Sequence, residues 1–288
     1  MVVACADHGV YRQKVSAYPQ STTVGMVKSY VDVKGASANA LAHYCGAHMV
    51  VVDMGINADM SDVPGLLHRK IAFGTKDITE GAAMSRAEAI HAIEAGIEIA
   101  ENKIKEGYRV FTVGEMGIAN TTASACILGA FNRWNAVEVT GRGTNISDAR
   151  LLHKIEMVQK ALDVNQPDPA DGLDVLSKVG GFEFGCMTGV MLGAAANHCL
   201  TIIDGFNSTA SAFIAKALSE ESVQYLMASH LSLEQAHRKS LKAIGLTEYI
   251  DLDIRLGEAV GASIQKKILD MAIAVYKDGA DKRTGVAE

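Results

Sequence analysis

Tyr108-Arg109-Val110-Phe111-Thr112-Val113-Gly114-Glu115-Met116-Gly117-Ile118-Ala119-Asn120-Thr121-Thr122 is the stretch that decides the fold. It opens on a short β-branched and aromatic run and breaks at Gly114-Glu115. It then crosses a glycine turn and meets Asn120 and Thr121, residue types that cap helices. The pattern predicts a strand over 108–113 and a helix from about Thr121. A strand feeding a helix through a short polar turn is the repeating unit of a parallel sheet.

The same unit recurs on either side. Upstream, Ser85-Arg86-Ala87-Glu88 has the hydroxyl and carboxylate spacing of a capping box and predicts a helix to about Glu106. Val2–Ala6 reads as a buried strand that runs straight into Asp7-His8-Gly9. A helix is expected from about Thr22 to His43, a strand over Met49–Met54, and a third short strand near Ile71. Downstream, Asp148–Asp163 reads as a helix, Thr201–Asp204 as a strand and Leu233–Ile244 as a helix. Apolar residues at 260, 264, 268, 271 and 275 give Glu258–Tyr276 helical spacing. Short apolar strands alternating with longer helices imply an α/β fold: a doubly wound, mostly parallel sheet flanked by helices. Ligands of such sheets bind beyond the carboxyl ends of the strands, so the polar, glycine-rich segments there are where chemistry is sought.

Composition narrows the function. The net charge of −6 lacks the basic footprint of a nucleic-acid binder and disfavours an anionic membrane surface. Five cysteines, Cys5, Cys45, Cys126, Cys186 and Cys199, form no CxxC pair, so buried free thiols are expected rather than disulfides or zinc. No secretory leader and no run of about 18 apolar residues occurs, which points to the cytoplasm.

Read from pattern alone, each candidate site has two readings. Gly114–Thr122 is either a plain turn with a satisfied carboxylate or a ligand loop with Glu115 at its mouth. Gly141-Arg142-Gly143-Thr144-Asn145, followed by Lys154, is either a turn before a solvated helix or a phosphate cradle. Ser229-His230-Leu231-Ser232 is either a helix cap or an anion site. Glu258 in Arg255-Leu256-Gly257-Glu258 is either a first-turn glutamate or a group facing a pocket. His8, at a strand mouth, is the histidine that stands out. A nicotinamide-dependent oxidoreductase is disfavoured because the GxGxxG fingerprint and its ribose-binding acid are absent.

Together these segments resemble one family, the nicotinate-nucleotide–dimethylbenzimidazole phosphoribosyltransferases. The matching stretches, in family order, are Ala6-Asp7-His8-Gly9-Val10, Ser16-Ala17-Tyr18-Pro19, Gly114–Thr122, Gly141–Thr144, Asp168-Pro169, Gly180-Gly181, Asp204-Gly205-Phe206, Ser229–Ser232 and Arg255–Glu258. The resemblance implies that nicotinate leaves the ribose C1 of nicotinate mononucleotide while an aromatic base attacks from the opposite face, giving an α-linked ribotide in cobamide biosynthesis. It implies no metal and no organic cofactor. It implies Glu258 as the general base and Glu115 as the second acid. It places Gly117, Gly143, Lys154 and Ser232 near the phosphate and ribose. Asn120, Thr121, Gly141, Ser229, Leu256, Gly257, Tyr18 and Met26 complete the candidate substrate-binding set. It also implies a dimer and a small helical domain, with residues 1–255 forming the α/β domain and the helix in 256–288 contributing to the small one.

The sequence departs from the family pattern in places. The family's Lys-Pro-Pro-Gly-Ser-Leu-Gly segment does not precede the first strand, so the small domain is expected to be incomplete. Gly25 stands where many relatives have Gln, Ala119 where they have Gly, and Ala82 where Pro is common. The family includes paired subunits that act on phenol or p-cresol. Homodimer and heterodimer therefore both stay open, and a non-catalytic partner subunit is the second reading.

Overall fold

A computed structural model describes residues 1–282 of the chain. Six strands form one sheet in the order β3-β2-β1-β4-β5-β6: β1 Val2–Ala6, β2 Val50–Gly55, β3 Leu66–His68, β4 Val110–Met116, β5 Leu200–Ile203 and β6 Leu226–Ala228. All five pairings are parallel. The strand order reverses direction between β1 and β4, which makes that junction the switch point where an open α/β sheet leaves a crevice.

Eleven α-helices surround the sheet among the described residues. In chain order α1 is Ser21–Lys28, α2 Ser37–Cys45, α3 Arg86–Lys105, α4 Asn120–Asn132, α5 Ala136–Val139 and α6 Asp148–Asn165. They continue with α7 Gly172–Val179, α8 Phe182–Ala196, α9 Phe206–Leu218, α10 His237–Ile244 and α11 Val260–Lys282. Alternate residues of β1 face opposite layers, as the pleat requires. Val2, Ala4 and Ala6 join the core with α3, α4, α8 and α9, whereas Val3 and Cys5 join the core with α1, α2 and α11. All five cysteines are buried free thiols.

The predicted elements hold where local signals are strong. Ser85 accepts from the Glu88 amide, and the Glu88 carboxylate accepts from the Ser85 amide at 2.7 Å, which completes the capping box. Elsewhere tertiary contacts redraw the boundaries. The single helix expected over 22–43 is three pieces: α1, a π-helical turn over Ser29–Val33, and α2. Lys34 adopts φ +53° before Gly35 and ends the first run. The third strand lies at Leu66–His68, directly after the Pro64-Gly65 turn, and not at Ile71. Strand β4 runs to Met116, beyond the predicted end at 113, because Gly114, Glu115 and Met116 pair with Val3, Ala4 and Cys5. The helix expected from Leu233 begins at His237, since residues 233–236 form a turn. Helix α8 has no counterpart among the predicted elements. It is apolar on every side and buried almost throughout, so it shows no amphipathic period.

Helix α8 sits against α3 through a glycine seam. A Cβ on Gly189 would lie 2.0 Å from the Ile93 carbonyl oxygen, and one on Gly96 would lie 2.0 Å from the Cys186 carbonyl oxygen. Both neighbours are backbone atoms and cannot rotate away. Gly189→Ala should therefore lower the unfolding free energy by about 1–3 kcal/mol, the usual range for overpacking. A reduced urea midpoint at unchanged slope checks this.

Candidate active site

The chemistry gathers at the switch point. Leaving β4, the chain carries Glu115, Gly117 and the start of α4. Gly117 has no room for a side chain, because a Cβ there would meet the Ala6 carbonyl oxygen at 2.1 Å. Ala119 sits at φ +78° as the N-cap of α4, a conformation that glycine adopts freely and alanine does not. Asn120, expected to cap the helix, is instead its first helical residue, and its side chain is used elsewhere. Its amide donates to the Glu115 carboxylate, while its carbonyl accepts from Asn207 at 3.1 Å. Asn207 in turn accepts from the Ser124 hydroxyl at 2.6 Å, so the orientation of both amides is set.

The second carboxylate reaches the same place from the far end of the chain. Gly114 is bare because the backbone of residues 258 and 259 rests on it: a Cβ would lie 2.0 Å from the Ala259 nitrogen. A Cβ on Gly257 would lie 2.3 Å from Glu115 Oε1. Glu258 and Ala259 both adopt the left-handed region, at φ +63° and +61°. Such a conformation costs about 1–2 kcal/mol per non-glycine residue. Asp204 offsets that strain from the end of β5, where its Oδ1 accepts from the Ala262 amide at 3.0 Å in the first turn of α11. His230 packs so tightly over this turn that a Cβ on Gly261 would overlap its ring.

Both carboxylates are desolvated, Glu115 being 7% exposed and Glu258 8%. Burial pushes Glu115 up to about 7, the nearby Glu183 adds to the rise, and hydrogen bonds from Asn207 and Asn120 oppose it. Burial likewise raises Glu258, against the pull of Tyr30 beside it. Below them His8 is buried and its Nε2 lies 2.5 Å from Glu183 Oε1. Burial alone would lower His8, but the charge and hydrogen bond of Glu183 raise it above the ordinary imidazole value. Asp7, also buried, accepts from the Thr23 hydroxyl at 2.7 Å and the Asn57 amide at 2.8 Å. Thr23 accepts from the Ile118 amide and so ties α1 to the glycine turn.

One residue after Asn120, the second half of the site begins. Lys154 is almost fully buried, and its ammonium donates to Thr121 Oγ1 at 2.8 Å and to the Gly141 carbonyl at 3.2 Å. Burial lowers its pKa, and Glu234 nearby counters that. Gly143, at φ +52°, lies over both groups: a Cβ would come 2.7 Å from Thr121 Oγ1 and 3.2 Å from Lys154 Nζ. Glu115, Gly117, Asn120, Thr121, Gly141, Gly143, Lys154, Gly257 and Glu258 are thus drawn into one region.

The remaining predicted positions are placed differently. Ser229 is buried and its hydroxyl donates to the Asp204 carbonyl at 2.8 Å. The Ser232 amide donates to His237 Nδ1 at 2.8 Å. Tyr18 and Leu256 are exposed, and Met26, on α1, is partly buried against the core cluster that includes Ala259. Gly25 is exposed with nothing within 4 Å. Asn207, Tyr30 and Glu234 are site residues that the sequence reading misses. Only Asn207 carries a signal, three residues after Asp204 at a strand mouth.

The profile of the phosphoribosyltransferase family matches residues 1–286. The chain belongs to this family. A relative from Geobacter metallireducens, named nicotinate-nucleotide–dimethylbenzimidazole phosphoribosyltransferase, is 45% identical over 96% of this chain and 78% of its own length. A Chloroflexus aggregans protein of the same name is 45% identical over 100% of this chain and 82% of its own. The crystal structure of the Thermus thermophilus protein of that name superposes with a TM-score of 0.88 at 37% identity, covering 94% of this chain and 80% of that one. Within the phosphoribosyltransferase fold the two carboxylates therefore sit at the switch point of a sheet shared with solved relatives.

The raised Glu115 has a consequence for stability. Its folded value, about 7, lies above its ordinary 4.5, so the folded state holds this proton more tightly than the unfolded chain. Its contribution is present below pH 4.5 and is lost as pH rises through 7, on the order of 3 kcal/mol in all. Glu115→Gln should flatten the fall in unfolding free energy across that window, as read by urea titrations at a series of pH values.

Proposed function

We propose that this chain transfers the phosphoribosyl group of nicotinate mononucleotide to an aromatic lower-ligand base, dimethylbenzimidazole or a related base or phenol. The products are nicotinate and an α-linked ribotide of cobamide biosynthesis. The observation that carries the proposal is the pairing of Glu258 with Glu115, both buried at the β1/β4 junction beside a glycine-and-lysine cradle. The close relatives named for this reaction support it.

In the proposed mechanism the phosphate lies toward Lys154, Thr121 and the Gly141–Gly143 turn, and the ribose lies near Gly117. The bond between ribose C1 and the pyridine nitrogen breaks, and its electron pair stays with nicotinate, which neutralises the ring cation. The base nitrogen bonds C1 from the opposite face. Its proton passes to Glu258, whose raised pKa makes it a better acceptor than a solvated carboxylate. Glu115, held by Asn120, lies beside the forming positive charge and stabilises it once ionised. Ser232, Ser229, Leu256, Tyr18 and Met26 remain proposed substrate contacts. No metal and no organic cofactor enters the scheme.

The domain division at residue 255 belongs to the same proposal. It is supported by α11 packing on α2 and by Met271, Val275 and Tyr276, which expose apolar side chains. Residues 283–288 of the proposed C-terminal unit lie outside the described residues. A homodimer, or a heterodimer with a homologous subunit, would cover that apolar surface. No helix among the described residues is long and apolar enough to cross a membrane, and we place the enzyme in the cytoplasm.

Glu258→Gln should cut kcat by about 100-fold or more, the usual worth of a general base. Nicotinate mononucleotide binding, measured by calorimetry, should stay within a few-fold of wild type. An unchanged kcat removes Glu258 from the role. The wild-type rate should rise with pH through a midpoint above the ordinary carboxylate range, and the variant should lack that limb.

A further inference from the structure

The glycine cradle is already occupied. Gly143 donates its backbone N–H to Glu234 Oε1 at 2.7 Å. A Cβ on Gly141 would lie 2.0 Å from Glu234 Oε2. The carboxylate therefore fills the hollow that both glycines leave open. Its Oε2 is shielded from solvent and has no hydrogen-bond partner. Below it is Lys154, which uses two of its three donors on Thr121 and Gly141 and feels the charge of Glu234. Glu234 comes from the turn ahead of α10, where its own amide donates only weakly, at 3.4 Å, to Ser232 Oγ.

We infer that Glu234 is a resident anion of the cradle, which the phosphate of an incoming nucleotide displaces. The inference rests on the phosphate placement proposed above. A buried lysine without a counter-charge is costly, and Glu234 supplies that charge while no nucleotide is bound. A carboxylate presents one negative charge and two oxygens. A phosphate monoester presents nearly two charges and three oxygens to the same donors, so it can take the Gly143 amide and use a lysine donor that Glu234 leaves free. The exchange makes affinity depend on the phosphate. A nucleotide can evict Glu234, whereas a ribonucleoside without phosphate has nothing with which to do so. Glu234 thus keeps Lys154 paired while the cradle holds no phosphate and weakens phosphate affinity by the cost of its own displacement.

The test uses inorganic phosphate and ribose 5-phosphate with the full chain, in the absence of any aromatic base. Glu234→Gln removes the competing charge and keeps the shape. By calorimetry at low ionic strength it should bind both ligands at least about tenfold more tightly than wild type, the size expected for relieving a close like-charge contact. Equal or weaker binding by a folded variant overturns the inference, as does the absence of measurable binding in both proteins. Should the variant fail to fold, the wild-type crystal structure with inorganic phosphate decides. Glu234 must have left the Gly143 amide, with phosphate oxygen in its place; phosphate elsewhere, or Glu234 unmoved, refutes it. Because no turnover is measured, the outcome is separate from that of the transfer reaction. A chain that exchanges Glu234 for phosphate but releases no nicotinate would refute only the proposed activity.

Discussion

The close approach of two backbones at the end of β4 governs this site. Gly114 has no side chain, and residues 258 and 259 occupy the space it leaves. That contact brings the start of α11 onto the central strand and sets Glu258 beside Glu115, although 143 residues separate them in sequence (258 − 115). The turn is strained, with two consecutive non-glycine residues in the left-handed region. The Asp204 carboxylate beneath the first turn of α11 and the His230 ring over Gly261 hold it in place. Strain of this kind persists only where the surroundings over-determine it, and such positions cluster at functional sites.

Burial then does the electrostatic work. Two carboxylates in bulk water would both ionise near pH ~4. Here both are desolvated, and Glu183 lies close enough to raise Glu115 further. The environments still differ. Glu115 is clamped by Asn120 within an amide network, while Glu258 has only Tyr30 at hand and sits on a strained turn. The different roles proposed for the two groups rest on that asymmetry. The cradle end is the electrostatic opposite, since Lys154 is buried and Glu234 supplies its counter-charge. Asn120 and Thr121, adjacent on α4, serve one end each, so a single helix start sets the distance between them.

Much of this is legible along the chain. Strand β1, helix α3 with its capping box, the glycine turn after β4 and the cradle at 141–143 all carry local signatures: an apolar run, a cap spacing, glycines before a helix. Glu115 and Glu258 are recognisable through motifs in family order. The helix expected over 22–43 breaks because Lys34 turns left-handed before Gly35. Helix α10 starts later than its pattern suggests because the four residues ahead of it are diverted into a turn. Glu234 among them reaches a cradle 91 residues away. Helix α8 gives no periodic signal because it is buried on all sides.

The sequence by itself determined the α/β class and the polar segments at strand mouths, because propensity, capping and glycine turns act within a few residues; the two acids and the lysine are singled out only by the family resemblance. Tertiary structure alone decided that β1 and β4 flank the switch point, that Gly114 lies under residue 259, and that Asn207 orients Asn120. It alone decided that Glu234 fills the cradle. Each of these depends on groups far apart in the chain meeting in a desolvated space. No local pattern encodes such a meeting, since its free energy comes from packing and charge pairing that exist only once the sheet has formed.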